Sequence, residues 1–463
     1  MGCSHRWMLL WIGTLIAVSA QMLADESWDH LQAVLARIRP PEIPQSIFEA
    51  HDFGAQADDG SDARPGIQRA VNAANAQGGG VVRLGQGVWY SKGPIHLRSN
   101  VFLRIGDDAR LVFTAETDAY LPQVRSRWEG TEVYNYSPFI YAYQATNVGI
   151  IGGGVIDGNA AESFARWRGR QQDAQHRLRA MGTQGVPVHQ RVFGPGRDSQ
   201  GDFLRPSLVQ FFGCQNVLIE GVRMIDSPMW VNHLVYCHNV TVRGVTIDSR
   251  RLNNDGVNVD SSSWVLIENC DVHTGDDGVV IKSGRDQDGW RVGRPSEWIV
   301  VRNNHIQGHN ALAVGSEMSA GVRGVYMYGN TLGQVRSAVY VKSNRDRGGI
   351  VEQLRVRNIT VDQADTLIRF LMDYGGYRGG NASPQFRDIL VDDITAAQVD
   401  TMMEIRGISS SPIREVRLRN VEARRASQVM RIEHVEDFDM AQVRANGQPV
   451  IYHDAPETGA SRE

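Results

Sequence analysis

One short phrase, Asn-Val-x-Ile-x-Gly/Asn-Val, keeps returning along this chain and limits its fold more than any other feature. It reads Asn216-Val-Leu-Ile-Glu-Gly-Val222, then Asn239-Val-Thr-Val-Arg-Gly-Val245, 23 residues further on. Looser copies are Val265-Leu-Ile-Glu-Asn269, Ile299-Val-Val-Arg-Asn303, Val325-Tyr-Met-Tyr-Gly329, Leu354-Arg-Val-Arg-Asn358, Ile389-Leu-Val-Asp-Asp393 and Val416-Arg-Leu-Arg-Asn420. Upstream, Val101-Phe-Leu-Arg-Ile105 and Val148-Gly-Ile-Ile-Gly152 fit the same template. Each phrase alternates apolar and polar residues, the period of a half-buried strand. A fixed phrase at this spacing means one supersecondary unit per repeat, unable to bury its face alone and stacked on its neighbours.

Helical periodicity is nearly absent from the unit, which disfavours leucine-rich and tetratricopeptide stacks, and a propeller blade needs about 40 or more residues. The spacing predicts an all-β fold, a parallel β-helix running as a single domain over residues 45–450. Asparagine and glycine at the corners suit its turns, because both tolerate left-handed backbone angles. The open end needs a cover, and residues 62–75, apolar at helical spacing, are expected to form an N-terminal capping helix. A second helix is expected at residues 162–181, as an insertion beside the groove.

Polar groups gather at the coil ends between Asn253 and Lys342. Asn253-Asn254-Asp255-Gly256 closes one coil and Gly275-Asp276-Asp277-Gly278 the next, 21 residues on from Asp255 to Asp276. Adjacent strands lie about 4.8 Å apart, so these carboxylates meet on one face. Gly308-His309-Asn310 follows one coil later and Lys342 one coil after that. Carboxylates on neighbouring coils provide what inverting glycoside hydrolysis needs: a protonated acid for the leaving oxygen and bases for a water on the opposite side of the sugar. Any one of these motifs alone is ordinary turn chemistry; an acidic stack also suits calcium. The whole set at single-coil spacing favours catalysis, with neither metal nor cofactor required.

These motifs resemble glycoside hydrolase family 28, the polygalacturonase family, over nearly all of the sequence beyond its first segment. The family signatures Asn-Thr-Asp, Gly-Asp-Asp, Gly-His-Gly and Arg-Ile-Lys appear here, in order, as Asn253-Asn254-Asp255, Gly275-Asp276-Asp277, Gly308-His309-Asn310 and Tyr340-Val341-Lys342. Arg191-Val-Phe-Gly194, Ser227-Pro-Met-Trp230, Lys282-Ser-Gly-Arg285 and Gly315-Ser-Glu-Met318 look like the bacterial branch. The resemblance implies a right-handed parallel β-helix that hydrolyses α-galacturonide bonds of pectin with inversion. It implies Asp276 as general acid, Asp255 and Asp277 as water-activating bases, and His309 as their support. It further implies that Asn253, Lys342 and Tyr374 line the substrate site.

Tyr340 departs from the pattern, standing where the family carries an arginine that grips the uronate. A lost bidentate cation calls for a replacement: Arg345 or Arg347 from a few residues away, or Lys282 or Arg285 from the neighbouring coil. A hydrolase of rhamnogalacturonan or another modified pectin is the nearest alternative. A pectate-lyase-like enzyme and a non-catalytic β-helix polysaccharide binder are the alternatives of other classes. Exo action is favoured over endo, because the insertion is placed to block one end of the groove.

Bulk properties agree. A net charge of −4 in 463 residues argues against a broad basic surface for nucleic acid. His5 and Arg6 precede an apolar run at residues 7–17 and the small residues Val18-Ser19-Ala20. That reads as a signal peptide over residues 1–20, with export to the periplasm or the medium and no membrane span. Beyond it three cysteines remain, Cys214, Cys237 and Cys270, expected as buried free thiols. The expected partner is a pectic polysaccharide or oligogalacturonide, bound by a monomer.

Overall fold

The computed structural model describes residues 28–195 and 201–452; the expected export signal lies outside them. Among these residues 31 strands join one sheet system, parallel but for one short C-terminal pairing, and two more form a separate antiparallel hairpin. The chain climbs as a right-handed parallel β-helix, and each full coil contributes a strand to each of three parallel faces.

The repeat phrases all lie on one face, in register. Val148, Val217, Val240, Val265, Ile299, Val325, Leu354, Ile389 and Val416 form a single ladder in which each pairs with the next. Every member is buried in the central core. Burying one such aliphatic side chain stabilises by roughly 1.5–3 kcal/mol, and only the coils on either side complete its burial. The corner asparagines explain why the phrase keeps its first letter. Asn147, Asn216 and Asn239 have φ of 53°, 54° and 57°, and their amides form a second ladder. Asn239 Nδ2 donates to Asn216 at 2.8 Å, Asn216 to Asn147 at 2.9 Å, and Asn147 to Asn100 at 3.0 Å.

The N-terminal cap is the helix Arg64–Ala76, which starts at a proline and buries Ile67, Ala70, Val71 and Ala74 against the first coil. An element the sequence reading did not anticipate is the helix His30–Arg37. With Trp28 it lies across the outside of the phrase-bearing face, on Leu266, Val300, Tyr326 and Leu390. Cys214, Cys237 and Cys270 are buried free thiols.

The segment expected as one helix at 162–181 forms a 3-10 turn, Phe164–Gly169, then the α-helix Gln172–Gln184. Leu178 and Ala174 of that helix pack on Trp128, Val133, Phe193 and Trp230. They thereby clamp the hairpin Val124–Trp128 with Thr131–Asn135 against the solenoid. A buried ion pair fixes the same hairpin: Arg127 Nη1 donates at 2.9 Å to Asp260 on the third face, both side chains fully buried. The hairpin tip, Glu129-Gly130, takes positive φ at both residues. It sits so close to Arg285 that a Cβ on Gly130 would meet the Arg285 backbone nitrogen at 2.9 Å.

Candidate active site

The third face of the helix carries the strands Val257–Asp260, Val279–Lys282, Asn310–Gly315 and the end of Thr331–Lys342. Val257 pairs with Val279. Extending that register by two places sets Asp255 beside Asp277, so these two are the stacked equivalents on adjoining coils. Asp276 is in register with Asn254 instead. Asn254 is fully buried and staples its turn, donating to the carbonyls of Ser227 and Met229 and accepting from Ser249. Asp276 turns outward, with 23% of its side chain exposed.

Asp255 and Asp277 are buried. Both oxygens of Asp277 accept from Lys342 Nζ, at 3.0 and 2.8 Å, and Oδ1 also accepts from Asn310 Nδ2 at 2.7 Å. The asparagine that stands in place of a glycine after His309 therefore adds a donor to the acid cluster. Among the described residues, the ion-pair partner of Asp255 is Lys282 Nζ, at a longer 3.6 Å. Burial, with Asp276 close by, raises its pKa well above the ordinary carboxylate value despite the lysine.

Asp276 behaves oppositely. Burial pushes it up, but a hydrogen bond from His309 and the charges of Lys342 and Lys282 bring it down to about 2. Its oxygens also accept from the backbone N–H groups of Asp277 at 3.0 Å and Asn253 at 3.3 Å. His309 Nδ1 lies 3.5 Å from Asp276, and Arg336 Nη1 lies 3.0 Å from His309 Nε2. A guanidinium only donates, so Nε2 accepts, while Nδ1 lies between Asp276 and the Asn310 amide nitrogen, the latter at 3.0 Å. Ligating atoms of Asp276, Asp277 and His309 all fall within 4.8 Å of one another, and both Asp277 oxygens are already bonded to the Lys342 ammonium.

Around these groups lies a polar pocket of about 250 Å³, lined among others by Asn253, the three aspartates, Lys282, Arg285, Lys342, Arg347 and Tyr374. Asn253 holds its side chain on Arg205 Nη2 at 2.7 Å. Lys282 and Arg285 meet on Glu317, Lys282 at 3.2 Å. Burial would lower the lysine, but Glu317, Asp255 and Asp277 more than reverse this. Two residues expected here lie elsewhere. Arg345 borders two neighbouring clefts, its guanidinium over the Tyr377 ring at 4.9 Å, because its side chain leaves the coil on the far side of the wall. Tyr340 is buried in an apolar patch with Val280, Ala313 and Leu371, its ring 6.4 Å from that of Tyr374.

The sequence reading did not assign Glu129, Arg179, Trp230, Ser316, Glu317, Gly375 or Gly376 to the pocket. Trp230 lies 4.7 Å under the Lys282 ammonium, and Glu129 and Arg179 form the far wall. Trp230 and the network acid Glu317 fall inside phrases quoted above, whereas Glu129 and Arg179 carry no local signal.

A polar pocket set into the flank of a right-handed parallel β-helix is the architecture of solenoid enzymes that cut polysaccharides. The chain belongs to glycosyl hydrolases family 28, whose model matches residues 193–443, and is a glycoside hydrolase. It is similar to the structure of a hyperthermoactive exopolygalacturonase from Thermotoga maritima: 37% identical, covering 90% of this chain and 95% of that one, with a TM-score of 0.85. The endo-polygalacturonase of Pectobacterium carotovorum subsp. carotovorum is 27% identical over 441 residues, 90% of this chain and 94% of that protein. The exo-poly-alpha-D-galacturonosidase of Dickeya chrysanthemi is 26% identical over 408 residues, 79% of this chain and 65% of that protein.

Proposed function

We propose that this protein is an exported polygalacturonase that hydrolyses α-galacturonide bonds of pectin with inversion, working from chain ends. The observation that carries the reading is the division of the acids: Asp255 and Asp277 buried side by side on equivalent coil positions, Asp276 projecting into the same closed pocket. Asp276 reaches the glycosidic oxygen as general acid, and the stacked pair holds and deprotonates the attacking water. Inversion needs acid and base on opposite sides of the sugar, about 6.5–9.5 Å apart.

Burial and the neighbouring Asp276 make Asp255 the carboxyl of the three that holds a proton most readily before a sugar enters. A uronate entering the pocket adds negative charge and engages its cations, which lifts the pKa of Asp276 and lets the proton settle there. Exo action is supported by the wall of Glu129 and Arg179 and by the size of the pocket. About 250 Å³ is below the roughly 300–1,000 Å³ of most ligand clefts and suits a terminal sugar better than a stretch of chain.

The raised pKa of Asp255 favours a second assignment on the same reaction, with Asp255 as acid and Asp276 with Asp277 as bases. Asp255→Asn, Asp276→Asn and Asp277→Asn each should lower kcat on oligogalacturonides by about 10²–10⁴-fold. On an aryl galacturonide with an activated leaving group, only the variant lacking the general acid recovers, so Asp276→Asn is expected to recover. Recovery of Asp255→Asn instead exchanges the roles. Polygalacturonate yielding no new reducing ends, or an unsaturated product absorbing in the ultraviolet, removes the hydrolase reading of this substrate. Release of products from rhamnogalacturonan alone moves the substrate to a modified pectin.

A further inference from the structure

The cations that line the pocket are unevenly paired with its acids. Five cationic side chains line the pocket, Arg179, Lys282, Arg285, Lys342 and Arg347, facing five acids, Glu129, Asp255, Asp276, Asp277 and Glu317. A sixth acid, Asp286, lies beyond that lining and pairs with Arg347.

The pairing differs from one cation to the next. Lys342 is bonded to both oxygens of Asp277, Lys282 to Glu317, and Arg285 to Glu317 with its Nε on the Glu129 carbonyl at 2.8 Å. Arg179 has one carboxylate contact, to Glu129 Oε2 at 2.6 Å, on an oxygen that also accepts from Gln175 and lies 3.5 Å from Arg285. Arg347 has one, to Asp286 at 2.6 Å, and Asp286 is shared with Arg378. Arg179 and Arg347 each keep a buried Nε–H without a partner. The same two guanidiniums are pulled down in pKa by burial and by Arg285 lying near both, Arg347 to about 10. Lys282, Arg285 and Lys342 are raised. Among the described residues, Arg179 and Arg347 thus each hold one carboxylate, and each shares it with another arginine.

We infer that Arg179, from the insertion helix, and Arg347, from the coil beyond Lys342, together bind the carboxylate of the terminal uronate. This rests on the pocket being the sugar site proposed above, and it replaces the guanidinium missing at Tyr340. It also gives the insertion helix a role in recognition as well as in closing the groove. A planar fork on each side suits a carboxylate better than a lysine would, and a methyl-esterified sugar would leave both forks unneutralised.

The test compares unesterified and methyl-esterified digalacturonides in the full-length protein. For Arg179→Gln, a melting curve recorded beside the kinetics checks that the fold is kept. For the more deeply buried Arg347, Arg347→Lys keeps the charge and removes the fork. Each variant should lose about tenfold or more in kcat/KM on the acid, mainly through KM, and stay within about twofold of wild type on the ester. Equal losses on acid and ester, or none on either, overturn the inference. Calorimetry with galacturonate and with neutral galactose separates this from failure of the functional reading. If wild type cleaves neither substrate, weaker galacturonate binding in both variants still supports the clamp. Unchanged binding, or no preference of wild type for galacturonate over galactose, rejects it.

Discussion

Lys342 Nζ lies 3.0 and 2.8 Å from the two oxygens of Asp277, with both side chains buried. Removing one partner strands the other as a buried charge, at a cost of about 3–5 kcal/mol. Lys342→Met should therefore lower the denaturant midpoint with little change in slope, and abolish measurable turnover. Lys342→Met with Asp277→Asn should regain part of that stability while staying inactive. A double variant no more stable than Lys342→Met would mean that the two charges are not coupled.

The acids set a pH profile whose two limbs have opposite origins. The working form of the free enzyme holds one proton among the three carboxyls, and the titration belongs to the set. Adding a second proton, at Asp276, requires pH near 2. Losing the first, from Asp255, requires pH well above the ordinary value of 3.8. A plot of kcat/KM against pH should be a bell with an acid limb near 2 and an alkaline limb raised above the carboxylate range. In Asp255→Asn the working proton falls to the low-pKa Asp276, so the alkaline limb of the residual activity should move down in pH.

His309 helps to hold Asp276 down, and Arg336 orients the ring. In His309→Ala the acid limb should move up from near 2 toward 3.8, with KM much less affected than kcat. Asp276 also links to stability. Its folded pKa is depressed, so it stabilises above its unfolded value, and that contribution is lost as pH falls from about 4 to about 2. The loss should approach 2 kcal/mol (about 1.4 kcal/mol per pKa unit) in wild type and be absent from Asp276→Asn, as denaturant curves across that window would show.

The hairpin that carries Glu129 depends on Arg127. Asp260 is buried between Arg127 and His233, with His233 Nε2 at 3.2 Å. Arg127→Met should cost about 3–5 kcal/mol and raise KM, since the tip would no longer be held against Arg285. Chemical denaturation and steady-state kinetics on oligogalacturonides measure both. Unchanged KM in a destabilised variant would detach the hairpin from the pocket.

The solenoid was legible because its stabilising contacts repeat. Val217, Val240 and Val265 occupy one ladder, and a ladder writes its period into the sequence. The coil-end acids were legible for the same reason, since a strand pairing 22 residues apart, as Val257 does with Val279, brings their turns together. Contacts that occur once were not legible. The helix His30–Arg37 covers residues from four coils between Leu266 and Leu390, and nothing in eight residues names that surface. Arg179 meets Glu129 across 50 positions, and Arg345 was placed by proximity to Lys342 in sequence although its side chain leaves the coil on the other side. Asn310 stood in the sequence only as the third residue of a Gly-His-Gly match, whereas its amide reaches the carboxylate one coil below.

The ladder has a consequence for how the molecule comes apart. Each coil touches only the coil above and below, so melting can begin at an end and advance like an unzipping seam. The last strands are the half-exposed ones: Ala426–Glu433 has no fully buried residue. The pocket is assembled from coils ending at Tyr374, with the coil of Gln385–Arg406 still between it and that frayed margin. The terminal turns thus act as a sacrificial margin, whose loss on mild heating would register in amide exchange before any loss of turnover.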